Sequence, residues 1–316
     1  DWKQSAEFVG EIEGFLAMLE DSLMDFRPVE YRGMVMTEEE ILKLFYYKFT
    51  ETPLLKRMDL VRDYFIDEWE TLRGRNISDD DKLLLQQKFD KMYVTKDLYR
   101  IYCQLLEECG LDPLSGAEYE RRKIPYEDVF PMLYLKYRLE GGNHSHKNIK
   151  HLVIDEMQDY SRLQYLIIRR MFSCKMTILG DRAQTMADQQ QDVLQFLPGI
   201  FGKDLRRIEM RKSYRNTVEI ASYAANLIGV TDLELFERHG MPVLERDVTD
   251  LEAALREAVD TLFPDEKTYE TAAVIVPDAK TAERAYLILR EILAEKDFDC
   301  GKRLSWLNRD SSSFKK

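Results

Sequence analysis

Cysteine and histidine are scarce in this chain, four of each, and a surplus of positive charge is missing altogether. Cys103, Cys109, Cys174 and Cys300 fall in no C-x-x-C spacing and are too few for a disulfide framework, which points to a reducing cytoplasm. His144 and His146 stand in GGNHSHKN, which reads as a polar loop, so no cysteine or histidine metal site is implied. Against 46 Lys and Arg stand 58 Asp and Glu, a formal net charge of -12. That balance excludes a protein that holds nucleic acid by bulk electrostatics, because phosphate binding normally shows as a basic surplus. Any such contact needs a local basic patch on an acidic body. There is no apolar run of transmembrane length and no signal-like N-terminus. An initiator Met is also lacking: the chain opens DWKQSAEFVG, which suggests a piece cut from something larger.

What is present is an ordinary foldable composition, 45% hydrophobic and 33% charged over 316 residues, long enough for two domains. From about residue 37 to 139 the periodicity is almost entirely helical. Thr37 with Glu40 forms a capping box ahead of Ile41, Leu42, Phe45 and Phe49. A second helix is predicted from Pro53 toward Gly74, with Pro in the first turn and Gly as the stop. Leu98, Ile101, Tyr102, Leu105 and Cys109 then repeat at helical spacing before Gly110. Residues 1–125 therefore read as a mainly helical block.

After GGNHSHKNIK short apolar runs alternate with amphipathic helices. HLVIDE is followed by a helix capped by Ser161, then KMTILGD, LRRIEM and a helix to Gly229. Such alternation predicts an α/β fold, a parallel sheet covered by helices. A further strand, TAAVIVP (271–277), and a helix over about 279–293 suggest a second α/β unit.

The stretch HLVIDEMQDYS (151–161) ends a predicted strand on two adjacent acids, Asp155 and Glu156. Ligands of open parallel sheets bind at the carboxyl ends of the strands, so these acids stand at a site edge by construction. Two carboxylates there can divide the work of phosphoryl transfer to water, one anchoring Mg2+ and the other activating the attacking water. The plainer alternative is a pair of helix N-terminal acids favoured by the dipole. Context favours the first reading. LGDRAQ (179–184) and RKSYRNT (211–217) each follow a predicted strand, so Asp-Glu, Gln and Arg form a converging nucleotide-triphosphatase set. An arginine in such a site supplies transition-state charge.

VIDEMQDYS resembles motif II of the UvrD/Rep-like superfamily-one helicases, ILGDRAQ resembles their motif III and RKSYRNTVEI their motif IV, in matching order and spacing. LYLKYRLEG (133–141), FERHG (236–240) and WKQSAEFVGEI near the start resemble the HelD branch, whose members bind and recycle RNA polymerase. The resemblance implies a RecA-like P-loop motor domain with a large helical insertion, followed by the start of a second RecA-like domain. It divides the chain into 1–125, the insertion; 126–230, the ATPase core portion; and 231–316, the second domain. It also implies that Asp155 helps hold Mg2+ and that Glu156 is the catalytic base. Gln184 would sense the γ-phosphate of ATP, Arg215 would contact it, and Tyr214 would stack on the adenine. From composition alone Tyr214 reads as a core tyrosine. Gln158, on the nucleotide-binding motif, and Asp159 would tie motif II to its neighbours.

Two departures from the family pattern matter. No G-x-x-x-x-G-K loop followed by Ser or Thr occurs: Gly202-Lys203 precedes Asp204, and Gly301-Lys302 precedes Arg303. The resemblance puts that loop upstream of Asp1 and the later motifs beyond Lys316, so that this piece alone would turn over little ATP. In addition, Gln184 is followed by TMADQQQD, with no aromatic before Phe196 to stack on single-stranded bases. Two functions stay open: an ATP-dependent DNA helicase or translocase, or an RNA polymerase-recycling factor in which hydrolysis resets a protein wedge. Arg121, Arg122 and Lys123, and Arg206, Arg207, Arg211 and Lys212, are basic clusters that read either as phosphate contacts or as solvated faces.

Overall fold

The computed structural model describes residues 2–142, 146, 148–181, 193–230, 233–262, 271–296 and 304–305. They fall into two compact units, Asp1–Glu209 and Met210–Lys316.

The first unit opens with α1 (Ala6–Ser22), whose N-terminus is capped by the Ser5 side chain accepting from the Phe8 N–H. Phe8, Ile12, Phe15 and Leu19 recur at helical spacing and are all buried. A short hairpin follows, β1 (Val29–Tyr31) and β2 (Met34–Met36), reversed by Arg32 and Gly33, both at positive φ. The capping box predicted at Thr37 and Glu40 is present and starts α2 (Glu38–Lys43). That helix runs into a π-helical turn, Leu44–Lys48, in which the Phe49 N–H donates to the Leu44 carbonyl at 2.9 Å. Buried Arg57 collects the carbonyls just beyond it, Thr50 at 2.8 Å and Thr52 at 2.9 Å, and pairs with Glu20. The π turn thus ends on a fixed cation.

Helix α3 (Leu54–Arg73) begins after Pro53 and stops at Gly74 in the left-handed region, as the Pro and Gly positions predict. Helices α4 (Asp79–Asp90), α5 (Leu98–Glu108) and α6 (Tyr126–Glu140) complete the helical part. Helices α1 and α6, which carry much of WKQSAEFVGEI and LYLKYRLEG, meet here. Tyr134 donates to Glu13 at 2.6 Å and Arg138 pairs with the same carboxylate, while Lys3 at 2.5 Å and Tyr102 at 2.6 Å hold buried Asp128.

The core of this part runs without a break from Phe8 through Leu135 and Leu139 to Leu163 and Ile167, so it crosses the 125/126 division drawn from the sequence. Beyond it lie β3 (His151–Ile154), α7 (Arg162–Met171), β4 (Lys175–Ile178) and α8 (Val193–Phe201). The strands pair in parallel, from His151 opposite Lys175 to Ile154 opposite Ile178. Helix α7 is two-sided: Leu163 and Ile167 join the helical core, while Tyr165 joins a second cluster with Ile154, Val193, Phe196 and Leu197. Phe196 is therefore a core residue.

The expected sheet with helices on both faces is present only in part. Among the described residues it has two strands, and its helices cover the face of Leu152, Ile154 and Ile178; Val153 on the other face is 61% exposed.

In the second unit β5 (Lys212–Ser213) pairs in parallel with β6 (Glu234–Leu235), and α9 (Val218–Ile228) starts at the Thr217 cap and ends at Gly229. Helices α10 (Leu251–Leu262) and α11 (Ala279–Glu295) share a small core of Leu255, Val259, Ala285 and Ile292, bordered by the Arg256–Glu295 and Lys296–Asp260 pairs. The helix predicted over about 279–293 is thus found, capped by Asp278. Two expected strands are not. Residues 205–210 and 271–276 are irregular, with Ile208, Met210 and Ile275 exposed. β-branched composition makes a strand only where a neighbour completes the ladder, and among the described residues neither segment has one.

Candidate functional site

The acids of VIDEMQDYS stand where the strand argument puts them, immediately past the last β3 residue, Ile154. Asp155 and Glu156 are both exposed. Asp155 Oδ1 accepts the Glu156 N–H at 2.9 Å, which folds the first carboxylate back over the turn. Glu156 has φ 53 and ψ 53, in the left-handed region. A non-glycine residue pays for that conformation, and such costs concentrate at functional sites. The consequence is geometric: the chain turns sharply off the strand and both carboxylates face solvent.

The turn is braced from three sides. The Met157 N–H donates to the Leu179 carbonyl at 2.8 Å, the Leu179 N–H donates to the Ile154 carbonyl at 2.8 Å, and buried Tyr165 donates its hydroxyl proton to the Met157 carbonyl at 3.1 Å. Burial raises the Tyr165 pKa well above its ordinary value, so the hydroxyl stays a donor. Gln158 bridges the two loops: its Nε2 donates to Glu156 Oε2 at 2.7 Å and its Oε1 accepts the Asp181 N–H at 3.1 Å. The loop after β4 can approach this closely only because residue 180 is glycine. A Cβ there would meet Met157 Cγ at 2.5 Å and Gln158 Oε1 and Met157 N at 2.6 Å. Gly180 is a site residue that sequence reasoning missed, although a glycine directly after a strand was a usable signal.

The structure brings Asp155, Glu156, Gln158 and the Gly180-Asp181 turn together. Gln184 lies outside the described residues. Asp159 is exposed on the short 3-10 turn Met157–Asp159.

Asp155 and Glu156 offer hard carboxylate oxygens with solvent-facing positions, a donor set that suits Mg2+. Among the described residues no group of three or more ligating side chains converges. A cation bound by one or two carboxylates, with phosphates and water completing the octahedron, needs no more than that.

Tyr214 and Arg215 belong to the second unit, directly after β5. Tyr214 is 56% exposed, so the core reading of this tyrosine is set aside; its ring lies 5.7 Å from that of Phe236. Lys212 Nζ stands 5.7 Å from the first ring and 5.6 Å from the second. The Arg215 carbonyl accepts from Arg238, whereas its guanidinium has no protein partner among the described residues. Glu219, in the first turn of α9, accepts the Gly240 N–H at 2.9 Å and lies 3.0 Å from His239 Nδ1. These contacts lower the Glu219 pKa to about 2, the Gly240 N–H first among them.

One member of the Arg121–Lys123 cluster is already committed. Arg122 clasps Asp97 through two hydrogen bonds of 2.9 and 2.7 Å and lies over the Tyr99 ring, so it is structural. In the other cluster, Arg207 pairs with Glu209.

Residues 39–186 match the family described as UvrD/REP helicase N-terminal domain. The match covers just under half of the chain and takes in helices α2 to α7 together with the acid pair and the Gly180 loop. It supports a UvrD/Rep-like superfamily-one assignment for this stretch, and with it an ATP-hydrolysing class that acts on nucleic acid. Among curated proteins no match is found. No helix among the described residues is long and apolar enough to cross a membrane.

Proposed function

We propose that this chain carries the hydrolytic acids and the arginine loop of an ATP-dependent helicase or translocase motor. The observation that carries the reading is the Asp155–Glu156 pair, exposed at the carboxyl end of a parallel strand within a stretch similar to the UvrD/REP helicase N-terminal domain.

In this reading Asp155 is a ligand of Mg2+, which when bound neutralises phosphate charge. Glu156 accepts the proton of the attacking water. Its left-handed backbone and the Gln158 hydrogen bond hold the carboxylate in one orientation, which favours proton transfer from a fixed direction. Gln158 works from the side, linking the acid turn to the Asp181 turn so that the two loops move together. Gln184 would sense the γ-phosphate. Arg215 would stabilise charge there, with a guanidinium uncommitted to any protein group among the described residues. Tyr214 would stack on the adenine through its exposed ring.

The division into a helical insertion, a motor core and the beginning of a second motor domain belongs to the same proposal.

A second reading is favoured by charge. With a net charge of -12 and Arg122 committed to Asp97, bulk electrostatics do not favour a phosphate backbone as the partner. The function would then be RNA polymerase recycling, with hydrolysis resetting a protein wedge. The stimulus decides between them: single-stranded DNA raises ATP turnover of the full-length protein in the first case, and RNA polymerase alone alters it in the second. Turnover indifferent to both would remove both.

A further inference from the structure

We propose that the segment Phe236–Gly240 is a positioning clamp for the Arg215 loop, with Arg238 and Phe236 as its working side chains. The inference rests on the proposed role of Arg215 as the charge-stabilising group and adds the residues that hold it.

The two segments are zipped along their length. The Glu234 N–H donates to the Arg211 carbonyl at 3.0 Å, Lys212 and Ser213 pair with Glu234 and Leu235, and the Phe236 N–H reaches the Ser213 carbonyl at 3.3 Å. Where strand pairing stops, side chains take over. Phe236 lies against Tyr214, and the Arg238 guanidinium donates to the carbonyl of Arg215 itself. The Arg238 carbonyl then accepts the Val218 N–H at 2.9 Å, occupying a free donor at the start of α9. Finally His239 and the Gly240 N–H hold Glu219 in the same turn. The segment ends in a close approach: a Cβ on residue 240 would stand 2.8 Å from Thr217 Cγ2, so any other residue displaces the Thr217 side chain.

The contacts share one property. They fix the backbone on either side of Arg215 and leave its guanidinium without a protein partner among the described residues. A group that stabilises developing charge contributes most when its position is set before the reaction, because no reorganisation is then needed. Arg238 is thus a positioning residue that acts through Arg215, and Phe236 does the same for Tyr214.

The test is a double-mutant cycle on ATP turnover by the full-length protein. Arg238→Ala is expected to lower kcat by about tenfold or more with KM for ATP little changed, and to add nothing in an Arg215→Ala background. Arg238→Lys should recover part of the loss, since an ammonium can still donate to the carbonyl. Equal losses in both backgrounds, or an unchanged kcat, would overturn the clamp. If Arg215→Ala itself leaves turnover intact, it is the reading of Arg215 that has failed. Amide hydrogen exchange over residues 214–218 then judges the clamp alone: Arg238→Ala and Phe236→Leu should each speed it about tenfold, and unchanged exchange overturns the proposal. Far-UV circular dichroism of the variants, in which only exposed side chains are altered, checks that they fold.

Discussion

Met157 and Gly180 approach so closely that a single added methyl on the glycine would lie 2.5 Å from Met157 Cγ and 2.6 Å from Met157 N. One of those atoms is backbone, fixed by its hydrogen bond to Leu179, so no rotamer change relieves the clash. Gly180→Ala should therefore destabilise the first unit by about 1 to 3 kcal/mol, in the range of other overpacking changes. It should also push the Asp155–Glu156 turn away from the Asp181 loop. Denaturant unfolding measures the first effect; a variant as stable as the parent would contradict the packing described here.

Arg57 carries a comparable load in the helical part. It is buried and holds the carbonyls of Thr50 and Thr52 together with Glu20. Arg57→Ala leaves those acceptors without their donor and should cost about 1 to 3 kcal/mol, as expected when carbonyls in a partly buried turn lose their hydrogen bonds. The shift of the urea midpoint at constant m-value reports it, and a change under about 1 kcal/mol would show that water replaces the guanidinium.

Much of this was legible in the sequence because it depends on local rules. The capping box at Thr37, the cap at Ser161, the Pro53 and Gly74 limits of α3, and the acids at the end of HLVI follow from side-chain chemistry within a few residues. What was not legible depends on how segments pack. The hairpin of β1 and β2, the π turn before Phe49 and the closeness of Gly180 to Met157 are set by packing. TAAVIVP shows the converse: its composition is that of a strand, yet with no paired neighbour among the described residues, residues 271–276 stay irregular. At the site, Asp155, Glu156 and Gln158 could be placed together from one motif, whereas the grip of Arg238 on the Arg215 carbonyl required the fold.

Glu219 gives a pH signature. Its folded pKa of about 2 lies below the ordinary 4.5, chiefly through the Gly240 N–H and then His239. A depressed carboxylate stabilises the fold above its unfolded pKa, and that contribution is lost as pH falls through the folded value. The start of α9 should accordingly loosen between about pH 4.5 and about pH 2, seen as faster amide exchange near residues 218–221. Glu219→Gln should remove this dependence, and a variant that keeps it would assign the effect to another group.

Arg215→Ala should slow ATP turnover of the full-length protein by about a thousandfold if the guanidinium stabilises transition-state charge as an arginine finger does. ATP binding should change far less, since the interaction grows in the transition state. A loss below about tenfold would count against that role.

The most direct test of the hydrolytic reading separates binding from turnover at Glu156. In the full-length protein, Glu156→Gln keeps the shape of the side chain and its place beside Gln158 but removes the base. Steady-state turnover should fall to background while ATP binding, followed by fluorescent-nucleotide titration, is preserved. Turnover equal to the wild type would contradict the assignment of Glu156 as the base and, with it, the account of why this strand ends on a pair of acids.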